Sequence, residues 1–311
     1  MVFFNKSFVC SVATDAAFQV KPKQNPATVS HIVTTTSVAN IVLTQRPLSD
    51  REEKEAPPVV CRKMCKDIQN LVESDPQIKF AASYEYGTYG YQSVYTAFRL
   101  YKASADRGNA CAQNKVGICY QEGEGIEKDL KEAIRYFQLA ADQGYPAAQS
   151  NLAMSYEYAL GVSMDIAKAL KYYQIAADQG YDEAQYTIGL YYMDEIGVKK
   201  DVNKAVKYFQ LAAKQDHSAA QNRLGLCYQQ GIGFPKNEIQ AYEYFVLAAL
   251  KGDGCAQYNL GECFEKGRGI AQDLKEAAKY YKLAADQGIE GAKSTLANLQ
   301  KKLENSKNKM K

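Results

Sequence analysis

The residues of this chain best suited to chemistry are eight cysteines and two histidines. Two pairs of cysteines lie eight residues apart, namely Cys111 with Cys119 and Cys255 with Cys263. Within one helix this spacing is a rise of about 12 Å, too far for a disulfide. No cluster offers the four converging ligands that a zinc site needs, because Cys61 and Cys65 have no histidine nearby. The sequence therefore predicts eight free thiols in a reducing compartment, a cytoplasmic location, no metal and no cofactor.

Motifs for nucleotide binding and nucleophilic catalysis are missing from the sequence. Gly123 and Gly125 form a G-x-G, but it recurs along the chain as part of a turn and follows no strand. There is no G-x-S-x-G, no H-E-x-x-H and no histidine placed to activate a nucleophile. We therefore expect a protein that is not an enzyme. The alternative is an enzyme or small-molecule binder that uses a pocket between helices.

The positive charge of the chain is concentrated at one end. The last eleven residues hold five lysines and one acid, so they carry a charge of +4. Because the net charge of the whole chain is +3, the other 300 residues sum to −1. A surface that follows nucleic-acid phosphates needs excess positive charge, so no nucleic-acid partner is expected. No apolar run approaches the roughly 20 residues of a membrane helix, so no membrane span is expected.

An internal repeat decides the fold class. One glutamine recurs every 36 residues, at Gln113, Gln149, Gln185, Gln221 and Gln257. The sequence around this glutamine recurs with it, and in one repeat it reads AQNKVGICYQEGEGIEKDLKEAIRYFQLAADQG. A degenerate unit precedes these five, and the half-unit GAKSTLANLQKKL follows them. A period of this length is typical of stacked helical repeats.

Each repeat is predicted to form two helices. The first places Ala112, Val116 and Tyr120 on one apolar face and ends at Gly123. The second begins at a capping residue, and these are Asp129, Asp165, Asp201, Asn237 and Asp273. In two repeats an acid three residues later completes a capping-box pattern, Asp129 with Glu132 and Asp273 with Glu276.

Glycines in the middle of the first helices predict close packing. They are Gly117, Gly189, Gly225 and Gly261, and each costs about 1 kcal/mol relative to alanine. A cost repeated at one position indicates that the neighbouring helix approaches closely, with Tyr136, Phe137 and their equivalents beside the glycine. The 24 tyrosines are interpreted as structural, with buried rings and hydroxyls that reach water. Ala159, Glu195 and Asp216 replace turn glycines, so those turns are expected to be altered or looser.

The repeated pattern resembles that of the Sel1-like repeat family, relatives of the tetratricopeptide repeats. The resemblance rests on A-Q-x-x-[LIV]-[GA]-x-x-Y, then G-x-G-[IVF], then D-x-x-x-A-x-x-Y-[FY]-x-x-A-A-x-x-G, repeated over residues 74 to 300. It implies an all-α, right-handed α/α superhelical solenoid. It also implies an adaptor or scaffold that binds a protein or peptide, in signalling or in the assembly of a complex.

The binding surface is expected on the first helices, which line the concave wall of tetratricopeptide-like superhelices. Two positions per repeat are predicted to form rows of side chains along this wall. The first ladder is position 114 with its equivalents, and the second ladder is position 118 with its equivalents. The predicted contacts are Asn114, Ile118, Ser150, Met154, Tyr186, Leu190, Asn222, Leu226 and Tyr258. Their mixture of polar and apolar types suits an extended peptide or a partner helix. Burial of the 118 position against a neighbouring helix is the alternative.

The predicted organisation has four parts. Residues 1–60 lack helical periodicity and are expected to be disordered or a leader, so organellar targeting stays open. Residues 61–73 are predicted to form a short connecting helix. Residues 74–303 form the solenoid, with one degenerate repeat, five full repeats and a closing helix. Residues 304–311 form a basic tail.

Overall fold

The computed structural model describes residues 8–11, 17–20, 76–87 and 92–309. The predicted connecting helix at 61–73 and most of the segment 1–60 lie outside this part of the chain. The chain divides into two compact units, one of Lys63–Gln215 and one of Asp216–Lys311 with Met1–Arg62. Each unit is described by itself.

The unit Lys63–Gln215 has eight helices among its described residues. They are α1 (Pro76–Tyr86), α2 (Val94–Asp106), α3 (Ala110–Glu122), α4 (Leu130–Asp142), α5 (Pro146–Glu157), α6 (Ile166–Asp178), α7 (Asp182–Asp194) and α8 (Val202–Lys214). Each helix packs on the next one in the chain. Odd-numbered helices are the first and even-numbered helices the second of each repeat, so the predicted α/α repeat is confirmed.

The unit with Asp216–Lys311 has five described helices with the same alternation. They are α9 (Ser218–Gln230), α10 (Glu238–Leu250), α11 (Gly254–Lys266), α12 (Leu274–Asp286) and α13 (Ala292–Lys309). Two short strands also belong to this unit, β1 (Phe8–Ser11) and β2 (Ala17–Val20). They pair antiparallel with Phe8 opposite Val20.

The second helices begin where the capping residues predict. The Asp129 side chain accepts hydrogen bonds from the backbone N–H groups of Lys131 and Glu132, and Asp165 accepts one from Lys168. These bonds satisfy donors that a helix N-terminus leaves open. The Glu132 carboxylate is bound to Arg135 instead, at 2.8 Å. The hydrogen bonds at Asp129 therefore support the acceptor half of the predicted capping box.

The recurrent glutamine bonds to two neighbouring helices. Gln113 of α3 donates from Nε2 to the carbonyl of Ala105 at the end of α2, at 3.2 Å. Its Oε1 accepts from Gln143 Nε2 at the end of α4, at 2.7 Å. Gln149 and Gln185 repeat both bonds, and so does Gln257. Because these side chains are buried, the bonds determine how each repeat sits on the one before it.

The mid-helix glycines lie against the aromatic rings that the sequence indicates. A Cβ on Gly117 would lie 2.6 Å from Phe137, and one on Gly225 would lie 2.6 Å from Phe245. Gly261 has the same relation to Tyr281. The prediction of close helix packing at this position is confirmed, since real Cβ atoms do not approach a ring so closely.

The turns without glycine keep the glycine geometry. Ala159 and Glu195 have φ values of 56° and 61°, close to the 78° of the equivalent Gly123, and Asp216 has a φ of 70°, close to the 81° of the equivalent Gly144. The expectation of altered turns is therefore wrong. The left-handed backbone is retained at a cost of about 1–2 kcal/mol for a residue with a Cβ.

We expect Ala159→Gly to stabilise the protein by about 0.5–1 kcal/mol, because glycine relieves the left-handed strain and loses part of that gain in chain entropy. The matched control is Gly123→Ala, where a Cβ would meet nothing closer than 3.5 Å. It should destabilise by about 1 kcal/mol through φ alone. Urea denaturation followed by circular dichroism measures both. An unchanged or lower unfolding free energy for Ala159→Gly would show that the turn carries no strain.

We expect Gly225→Leu to lower the unfolding free energy by about 3 kcal/mol, because the new side chain must displace the Phe245 ring. Gln230→Leu, an exposed position on the same helix, controls for the added apolar surface and should change stability by less than about 0.5 kcal/mol. Equal melting temperatures for the two variants would contradict the close-packing explanation.

Candidate interaction surface

The first ladder of predicted contacts is buried. Its members are Asn114, Ser150, Tyr186, Asn222 and Tyr258, and each exposes 7% or less of its surface. Within each unit these side chains are occupied by contacts of the fold. The expectation that this ladder lines an open groove is therefore wrong.

The asparagines and tyrosines of this ladder join neighbouring helices. Asn114 Oδ1 accepts from Asn151 Nδ2 of the next first helix at 2.8 Å, and Asn222 accepts from Asn259 at 2.8 Å. The Tyr186 ring lies 5.9 Å from that of Phe209. A polar residue that repeats at one helical position can thus serve the packing of repeats, which periodicity alone does not reveal.

The second ladder is open in one unit and closed in the other. Ile118, Met154 and Leu190 are half-buried on α3, α5 and α7. Leu226 of the other unit is 5% exposed. The predicted alternative, burial of this position, thus holds at Leu226.

The accessible part of the first helices is a stripe rotated from the predicted one. The predicted ladders combined position 118 with position 114, which is buried. On α3, α5 and α7 the more accessible positions lie on the other side of 118, at 122 and, except for the buried Thr187, at 115, because each residue turns the helix by 100°. We call this surface the open stripe. It consists of Lys115, Ile118, Glu122, Ala147, Asn151, Met154, Tyr158, Glu183, Leu190 and Asp194.

A variable residue type at one position could have identified the stripe from sequence. Position 122 and its equivalents read Glu122, Tyr158, Asp194, Gln230 and Lys266. The glutamines that join neighbouring repeats keep one type. Variation in charge is the signal, because position 122 holds acids, a tyrosine, an amide and a lysine, whereas the buried position 114 varies only among uncharged residues.

Tyrosine and glutamate side chains pair within repeats of both units. The hydroxyls of Tyr101, Tyr173 and Tyr281 donate to Glu85, Glu157 and Glu265, at 2.6, 2.9 and 2.8 Å. The prediction that tyrosine hydroxyls reach water is wrong at these positions. Where the aromatic residue is Phe137 or Phe209, the partner position holds Gln121 or Met193 instead. The residue types at these two positions of a repeat are therefore correlated: a tyrosine on the second helix occurs with a glutamate on the first.

Burial and the neighbouring carboxylates make these phenols poor acids. Burial raises the pKa of Tyr173 well above its ordinary value, and the charge of Glu157 raises it further. On the stripe itself, Tyr158 has a 44% exposed surface. Its pKa is raised to about 12 because its hydroxyl is partly desolvated and lies near Glu157. These groups stay protonated near neutral pH, so they act as hydrogen-bond donors.

The described cysteines divide into two classes. Cys111, Cys119, Cys227 and Cys263 are buried thiols. Burial raises the pKa of Cys119 to about 12 and that of Cys227 to about 11, so they are weak nucleophiles. Cys255 is disulfide-bonded, so the prediction of eight free thiols is wrong. Disulfides persist mainly in oxidising compartments, so this residue does not support the cytoplasmic prediction.

Neither a metal cluster nor a membrane helix occurs in the described part of the chain. No three His, Cys, Asp or Glu side chains converge there as they would around a metal ion. None of the helices described combines the length and hydropathy needed to cross a bilayer. Of the two histidines, His217 caps α9 by accepting a hydrogen bond from the backbone N–H of Ala220 at 3.2 Å.

Comparison with known proteins identifies the family. The sequence model of the Sel1 repeat matches six successive segments, residues 79–109, 112–145, 146–181, 182–217, 218–253 and 256–289. The chain belongs to the Sel1 repeat family. The resemblance noted in the sequence is confirmed, and Sel1 repeat proteins generally act as protein-interaction scaffolds. Among curated proteins none matches this Sel1 repeat chain in sequence.

Solved structures agree with the family assignment. A Sel1 repeat protein from Oxalobacter formigenes is 31% identical with a TM-score of 0.65, covering 73% of this chain and 88% of its own. The protective antigen c5321 of uropathogenic Escherichia coli, described as an SLR fold, is 28% identical with a TM-score of 0.63. That match covers 76% of this chain and 51% of the antigen, so the present chain spans about half of it.

We expect Phe137→Tyr to stabilise this Sel1 repeat protein by about 0.5–1.5 kcal/mol. Gln121 Oε1 is buried without a hydrogen-bond partner, and a hydroxyl at position 137 would lie where Tyr101 and Tyr173 reach their glutamates. Phe209→Tyr is the matched control, since its partner position holds Met193 and offers no strong acceptor. It should be neutral or destabilising. Equal effects of the two changes in urea denaturation would show that the pairing contributes nothing.

Proposed function

We propose that this protein is a non-enzymatic scaffold that binds a partner protein through the open stripe of α3, α5 and α7. Family membership supports an interaction role in general. The stripe supports the location, because it is the part of the first helices that the packing leaves accessible. Signalling or the assembly of a complex is the process proposed for it.

The observation that carries the proposal is the row of half-exposed apolar side chains at position 118. Gln113 and Gly117 keep their type or size because they join helices. At position 118 the residues Ile118, Met154 and Leu190 stay apolar although solvent reaches them. Half-exposed apolar side chains flanked by polar ones are typical anchors of protein interfaces.

Two of the predicted contacts, Tyr186 and Asn222, are not part of this proposal. Both are buried and bonded within the fold, so their truncation would destabilise the repeats as well as any interface. Ile118, Met154 and Leu190 are retained from the predicted set. The alternative of an enzyme or small-molecule site between helices has no residue set that distinguishes it.

The test is capture of partner proteins from an extract of the source cells with the full-length protein. The stripe variant Ile118→Ser/Met154→Ser/Leu190→Ser should lose partners that the unmodified protein retains, because the apolar anchors are removed. Proteins retained in each case are identified by mass spectrometry, and circular dichroism confirms the helical content of every variant.

A second-helix variant provides the matched control. Leu139 and Ile175 are 39% and 36% exposed on α4 and α6, and Leu211 occupies the same position on α8. Leu139→Ser/Ile175→Ser/Leu211→Ser removes similar side chains from the same unit, and binding should persist. Partners that stay bound to the folded stripe variant would place recognition elsewhere and overturn the proposal.

A further inference from the structure

The charge of the repeats α3 to α8 is divided between first and second helices. The first helices α3, α5 and α7 carry one lysine against five acids, a formal charge of −4. The second helices α4, α6 and α8 carry seven cations against three acids, a formal charge of +4. Charged side chains of a partner would therefore distinguish the two kinds of helix.

The only cation of these first helices is already paired. Lys115 Nζ lies 3.4 Å from Glu85 Oε1, and its side chain is 13% exposed. It therefore contributes little positive potential to the open stripe, where the exposed charges are acidic.

Four exposed acids form a rim at one end of the stripe. They are Glu122, Glu124, Asp194 and Glu195, at or just beyond the C-termini of α3 and α7. A helix C-terminus already carries a partial negative charge, so acids here are unfavourable for the helices. Their position adds to the negative potential beside Ile118 and Leu190. The surface therefore fits a partner segment that brings positive charge.

The spacing of the helices limits the form of this segment. The hydrogen bond from Asn151 to Asn114 joins α3 and α5, and neighbouring helices that touch through their side chains lie about 10 Å apart. Ile118, Met154 and Leu190 lie one per helix across this direction. A peptide in the polyproline II conformation advances about 3.1 Å per residue and has three residues per turn, so every third side chain lies on the same face. It would thus pass one helix for every three residues.

We propose that the open stripe binds a basic peptide in the polyproline II conformation, with apolar side chains at every third residue. This inference rests on the proposed function and specifies the partner class of the same surface. The apolar residues contact Ile118, Met154 and Leu190. Lysine or arginine residues between them reach the rim formed by Glu122, Glu124, Asp194 and Glu195.

Selection from a random twelve-residue peptide display library on the immobilised full-length protein tests the inference. The selected peptides should carry a net positive charge and apolar residues three positions apart. The affinity of a labelled selected peptide, measured by fluorescence anisotropy, should fall when NaCl is raised from about 20 mM to about 200 mM, because screening weakens the charge pairs.

Charge-neutral variants locate the site. Glu122→Gln/Asp194→Asn/Glu195→Gln should weaken binding of the selected peptide by about tenfold at low salt. Asp142→Asn/Asp178→Asn removes two exposed acids from the second helices α4 and α6 and should change it less than about twofold. Equal losses in the two variants would overturn the assignment to the rim.

The possible outcomes separate this inference from the proposed function. Peptides that require Ile118, Met154 and Leu190 but are neutral or acidic would overturn the basic class and leave the scaffold surface in place. Binding unaffected by the serine variant of those residues would overturn both. No enrichment over the bare matrix would overturn the basic-peptide inference. Concentration-dependent self-association that the serine variant abolishes would assign the stripe to a second copy of the chain.

Discussion

The stacking of these repeats depends on one buried glutamine in each of them. Gln113 and its equivalents donate to the last turn of the preceding helix and accept from the end of the following one. Buried amides are costly unless they are hydrogen-bonded, so only one relative position of the three helices satisfies this side chain. The same requirement recurs every 36 residues, with the glutamine. Apolar contacts between alanines supply packing but would tolerate small displacements that the glutamine does not.

The same geometry explains why the structure leaves a particular stripe open. Each first helix contacts both neighbours along the chain as well as the first helix of the next repeat, as Asn151 and Asn114 demonstrate. Position 114 and its equivalents are buried by these contacts. What is left to solvent is a narrow strip that includes Met154 and Tyr158. In this fold the packing of helices therefore determines which side chains of the first helices stay accessible. Among these, the residues at position 122 differ in type from repeat to repeat.

The sequence predicted the elements of this fold well and its accessible surface poorly. Capping residues such as Asp129 and glycines such as Gly117 have local causes, so their roles can be read from spacing. The burial of Asn114 depends on a residue 37 positions away in another helix, and no local pattern contains that information. The turn at Ala159 was expected to change because alanine disfavours a left-handed backbone, whereas the surrounding repeat imposes it.

Because the helices of the repeats are similar, each one must also pack on its correct neighbouring helix during folding. The Tyr173 hydroxyl is matched to the carboxylate of Glu157, whereas Phe137 faces Gln121. If Phe137 packed instead on the helix that carries Glu157, a partly buried carboxylate would lose its donor. The alternation of these pairs thus gives each repeat a chemical identity, which penalises the exchange of helices between neighbouring repeats and favours a single arrangement among many nearly equivalent ones.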